Sequence, residues 1–219
     1  MELTAEEKKV LSGITFHSEE VENGQLCDED KAILEEMRTV KKYLEDKYSK
    51  YQFEITGCEP KEGTARDYDE WYYKALEIER DSAFIAMARD VDGKLEIQDD
   101  FYGELIRGDA RAEVKKLLKA DGFAVVNVDV SFWEYFGNEC GEDLDALKVL
   151  KGKVQAGNDI KIFLDGERLS KDAYDGEIER LEKCLKKADI KGDIYVVILK
   201  DANGDFVRDR LYSDSFELE

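Results

Sequence analysis

From residue 28 onward the apolar positions fall into step. Ile33, Leu34, Met37, Val40, Leu44 and Tyr48 recur every three or four residues, which predicts one helix from Asp28 to Tyr48 with Asp28 as its N-cap. The period then drops to two. In YQFEITG, Tyr51, Phe53 and Ile55 alternate with polar neighbours, as a strand with one buried face requires. Residues 58 to 67 hold the only proline and a glycine and read as an exposed loop. DEWYYKALEI fits a helix through Trp71, Ala75 and Ile78, but its adjacent tyrosines favour a strand.

SAFIAMARDVDGKLEI reads as strand, turn, strand, because Asp92-Gly93 tolerates the positive φ of a tight hairpin. DDFYGELIRGDARAEVKKLLKADG is helical, with a break expected at Gly108. FAVVNVDV is apolar enough to lie inside a sheet. A short helix from Asp143 to Leu150 follows, then a strand IKIFL and a helix starting near Ser170. DIYVVILK, DANGD and FVRDRLY close the chain as strand, turn, strand. The first residues are weakly patterned: a short helix from Thr4 to Leu11, then an irregular arm.

These elements predict an α+β fold of two consecutive units, each with an antiparallel, hairpin-containing sheet covered by helices. An irregular arm takes residues 1–25, the first unit 26–121 and the second 122–219, with the boundary at KADG. At an offset of 111 residues Asp90, Asp92 and Gly93 align with Asp201, Asn203 and Gly204. An internal duplication explains this match, and so does convergence on the same turn chemistry.

Charge narrows the function. With 53 acidic and 33 basic residues the formal net charge is −20, a field that repels nucleic acid and anionic lipid. It attracts a basic partner or divalent cations, or simply keeps the chain in solution. Aromatics at 11% argue against disorder. The start of the chain lacks the apolar stretch of a signal peptide, and no apolar run spans a bilayer, so a cytoplasmic protein is expected.

Candidate chemistry is sparse. Cys27, Cys58, Cys140 and Cys184 are far apart and form no CxxC pair, so reduced structural thiols are expected. His17 is the sole histidine, and it serves a nucleophile only by folding back onto a cysteine or serine. Asp99, Asp100 and Glu104 form either a cation-binding group or the start of a helix, where carboxylates accept main-chain hydrogen bonds; the second is simpler. In DANGD the glycine falls at position four of the loop instead of six, which excludes an EF-hand. Arg107-Gly108-Asp109, an adhesion tripeptide, is read as coincidence. No glycine-rich phosphate loop is present, and no cofactor is expected.

SFWEYF is the most suggestive recognition feature. Phe132, Trp133, Tyr135 and Phe136 place rings on both sides of an extended segment, a surface for a partner or an internal packing element. The sequence therefore favours a non-catalytic acidic binding protein that takes a basic protein or a second copy through these rings. A carboxylate- or metal-dependent hydrolase is the alternative, and a structural accessory module a third.

Overall fold

The computed structural model describes residues 2–79, 81–141, 145–154 and 156–219. Two units divide the chain: Met1–Tyr102 with Tyr135–Asp143, and Gly103–Glu134 with Leu144–Glu219. Each is α+β with one four-stranded sheet whose strands lie in chain order, an arrangement consistent with a duplicated architecture.

The first unit begins with helices α1 (Ala5–Ile14), α2 (Ser18–Glu22) and α3 (Asp28–Lys47). The segment expected to be mostly irregular is thus helical and packed. Thr4 caps α1 by accepting from the Glu7 amide, and Glu7 returns the bond to the Thr4 amide. Glu7 also accepts from Arg38 of α3 at 2.6 Å, while Leu11, Val21 and Leu34 bury one cluster between the three helices. The cap of α3 is Cys27, not Asp28: the thiol accepts from the Asp30 amide at 3.4 Å and the Asp30 carboxylate accepts from the Cys27 amide at 3.1 Å.

The sheet follows as β1 (Phe53–Glu59), β2 (Asp69–Ala75), β3 (Phe84–Val91) and β4 (Lys94–Asp99), antiparallel throughout. DEWYYKA is the strand that its tyrosines favoured, with Trp71 and Tyr73 turned into the core. Asp92 and Gly93 make the β3–β4 turn at φ of 54° and 77°. Phe101 sits at the centre of the aromatic core, edge-on to Tyr48, Tyr51, Phe53 and Phe84 at 4.9–5.4 Å.

Asp99 is fully buried. Its carboxylate accepts from the Phe101 amide at 3.0 Å, which is the expected helix-start role, but also from Lys47 at 2.7 Å, Tyr43 at 3.0 Å and Tyr48 at 2.9 Å. Lys47 donates further to the Phe136 carbonyl at 2.8 Å. The carboxylate and ammonium satisfy each other and leave no room for a cation. Asp100 accepts from the Ile85 amide, and Glu104 pairs with Arg107. The three acids do not form one site.

The second unit contains α4 (Phe101–Ala120) from Gly103 onward, β5 (Val125–Phe132), α5 (Ala146–Leu150), β6 (Asn158–Asp165), α6 (Tyr174–Lys187), β7 (Gly192–Leu199) and β8 (Arg210–Leu218). No break occurs at Gly108. Ile106, Ala110, Val114 and Leu118 form a continuous buried stripe four residues apart, so Arg107-Gly108-Asp109 is helical. The start of the helix expected at Asp143 lies outside the described residues; Asp145 caps its observed part.

β5 is an edge strand, against the expectation of a central one, and the sheet is mixed. α6 carries the chain back across the sheet, so β6 and β7 run parallel while the outer pairs are antiparallel. FVRDRLY is a strand only from Arg210, because Asp205 accepts from the Val207 and Arg208 amides and holds the preceding residues in turns. Phe206 stacks on Phe163 at 4.4 Å.

Candidate functional site

The chemistry gathers at the start of α3. Between α1 and α2 the chain turns at Thr15–His17, with the His17 amide bonded to the Thr15 hydroxyl at 3.2 Å. This turn brings His17 Nδ1 to 3.9 Å from Cys27 Sγ, the fold-back that the sequence named as its condition without predicting it. Cys27 Sγ lies 3.1 Å from Asp30 Oδ2, and donor atoms of all three residues fall within 4.8 Å of one another. Tetrahedral zinc with bonds of about 2.0–2.3 Å spaces its donors about 3.5 Å apart, so the observed separations bracket that value.

His17 and Cys27 are exposed and Asp30 is buried, which leaves one side open to an incoming group. Burial works against the Asp30 carboxylate, but hydrogen bonds from the Thr15 hydroxyl at 2.7 Å and from Cys27 outweigh it. The group is held below the usual carboxylate range and stays anionic. An imidazole, a thiol and a carboxylate suit zinc or cobalt; magnesium and calcium prefer oxygen alone.

His17 and Asp30 also line a cavity of about 570 Å³ in the first unit, bounded by Ile14 to His17, one side of α3, the end of β1 and the start of β2. Residue Glu36 of α3 is six positions beyond Asp30, about 9 Å along the axis. Its carboxylate accepts from Trp71 Nε1 at 2.8 Å and lies against Asp69. Burial pushes the Glu36 carboxyl above the usual range; the Trp71 bond opposes this in part, and the negative charge of Asp69 adds to it. Asp69, itself buried, is held by the Lys61 amide at 2.7 Å and the Lys61 ammonium at 3.1 Å. The cavity thus holds two of the candidate metal ligands, His17 and Asp30, and farther along α3 a carboxyl whose burial favours its neutral form.

Cys58 reaches the cavity through an irregularity in β1. Ile55 pairs with Tyr73, but Gly57 pairs with Tyr72 and Cys58 with Trp71, so the extra residue turns Cys58 to the same face as Trp71. Burial pushes its thiol far up, with the charges of Asp69 and Glu36 adding to the effect. It remains a neutral thiol. All four cysteines are free of disulfides, and Cys140 and Cys184 are buried.

The aromatic block divides. Phe132 ends β5, half-buried, and Trp133 is 59% exposed with its ring laid over Gly157. Tyr135 is half-buried in the other unit, where Phe136 is 1% exposed, packs on Tyr102 at 5.1 Å and bridges to Asp99. Phe136 is therefore a core residue. DANGD forms turns, with Asp201 accepting from the Asn203 amide at 2.8 Å.

Sequence reasoning missed Cys27, Asp30, Glu36 and Asp69. Only one signal was present: cysteine followed three residues later by aspartate at a helix start has the spacing of a capping box.

No protein-family model matches the chain, and no curated protein sequence matches it. Among solved structures, a DUF5037 family protein from Ruminococcus gnavus ATCC 29149 is similar at a TM-score of 0.37 and 13% identity, with 75% of each chain covered. A likeness of that size carries no argument. Among the described residues no helix is long and apolar enough to cross a membrane.

Proposed function

We propose that the first unit carries the active site of a metal-dependent hydrolase, with His17, Cys27 and Asp30 as ligands of a zinc-like ion and the adjoining cavity as the substrate site. The carrying observation is the meeting of three different donor types within 4.8 Å, two of them, His17 and Asp30, lining that cavity. His17, Cys27 and Asp30 would hold such an ion, and when bound it would supply Lewis-acid chemistry for a carbonyl and for water. The chain supplies the rest. Asp30 enters as an anion already oriented by Thr15, and Glu36, whose carboxyl burial shifts above the usual range, is the candidate general acid for the leaving group. The site needs Cys27 reduced, which fits the cytoplasmic setting expected from the sequence.

Cobalt(II) titration tests this reading. A thiolate-to-cobalt absorption band is expected, with affinity at least tenfold weaker, about 1.4 kcal/mol, in His17→Ala and Cys27→Ser. Serine preserves the cap, so a purely structural Cys27 leaves this variant folded and cobalt binding never present. With zinc loaded, chromogenic anilides should be hydrolysed, and Glu36→Gln should lower kcat by about 100-fold or more. Absence of the band, or equal binding by all variants, overturns the proposal.

The exposure of Trp133 favours a second reading, in which an acidic protein docks a basic partner or a second copy through Trp133 and Phe132.

A further inference from the structure

The charge of the cavity decides what can enter it. Its lining holds five acidic side chains, Glu29, Asp30, Glu62, Asp69 and the Glu36 whose burial favours its neutral form, against one lysine, Lys61. The Lys61 ammonium is already engaged with Asp69 at 3.1 Å. Glu29 and Glu62 are exposed at the mouth, where an arriving ligand meets them first. A divalent ion on His17, Cys27 and Asp30 balances a thiolate and a carboxylate and nothing more, so the remaining wall stays negative.

No arginine lines the cavity among the described residues, so no planar fork is available there for a phosphate or carboxylate. The uncharged part is apolar: Ile14, Ile33, Pro60 and the fully exposed ring of Phe16 beside it. Low-dielectric walls bearing one sign of charge concentrate counter-charged ligands and repel like-charged ones.

We infer that the cavity selects ligands with a positively charged end on an apolar stem and rejects phosphate and carboxylate compounds. For the proposed hydrolase this means amides or esters of basic amino acids. The inference rests on the cavity being the substrate site, but its charge preference holds with or without the ion, because an empty triad is more negative still.

Equilibrium binding of three neutral-backbone probes of similar size provides the test: Nα-acetyl-lysinamide, Nα-acetyl-norleucinamide and Nα-acetyl-glutamic acid amide, each titrated into the zinc-loaded and zinc-free 219-residue chain. The lysine probe is expected to bind at least tenfold tighter than the glutamate probe, with norleucine between. Added salt and the double variant Glu29→Gln/Glu62→Gln should each narrow that ratio. Equal binding, a reversed order, or no binding by any probe at millimolar concentration overturns the inference. Cobalt absorption judges the metal reading separately. A cobalt band without lysine preference sinks only the charge selection, and lysine preference without the band sinks only the metal site.

Discussion

Cys27 closes the first turn of α3, where its thiol accepts from the Asp30 amide and donates to the Asp30 carboxylate. Two of the three candidate ligands left a local trace that the sequence reading did not use: the three-residue spacing of Cys27 and Asp30 is local chemistry. The approach of His17 was not, because it depends on the Thr15 turn and on the packing of Val21, which no local pattern encodes. Glu36 was equally hidden, since its environment comes from Trp71 and Asp69 on a strand far along the chain. Its titration carries a definite sign. The carboxyl holds its proton more firmly folded than unfolded, so its contribution to stability is whole below the ordinary carboxylate range and is lost as pH rises through the higher folded value. Glu36→Gln, which cannot ionise, should therefore melt higher than the parent protein at about pH 8 and converge with it near pH 4. A gap in Tm that stays constant with pH refutes this assignment.

Elements with one wet face were readable and elements defined by neighbours were not. The alternation through Phe53 and Ile55 marked β1, yet nothing in it announced the irregularity that turns Cys58 inward. The apolar run of β5 suggested a central strand, but sheet position is set by connections. The central places go to β6 and β7, which α6 joins in parallel. The start of that parallel pair has a steric requirement. Gly192 has φ of +124°, and a Cβ there would lie 2.2 Å from the Asn158 side-chain oxygen and 2.9 Å from its carbonyl. Gly192→Ala should cost about 1–3 kcal/mol in chemical denaturation, with an unchanged slope. A neutral result means that the pair begins elsewhere.

For the whole molecule, a net charge of −20 makes ionic strength a sorting tool. If Trp133 docks a second copy, screening relieves repulsion and salt strengthens association; if it docks a basic partner, salt weakens it. Trp133→Ala should abolish whichever is observed by light scattering or pull-down, and the protein should stay folded because the ring is mostly exposed. Unchanged association, or unfolding, removes the second reading. The α+β class was legible across the whole chain. Residues 135–141 group with the first unit after an excursion through the second, and the grip of Lys47 and Tyr43 on the Phe136 carbonyl is what draws them there. That grip sets a timetable for synthesis. A nascent chain leaving the ribosome has every strand of its first sheet once Asp99 emerges, but its buried ammonium waits for a carbonyl thirty-seven positions downstream. The amino-terminal half therefore reaches its final form only after translation is well into the other half.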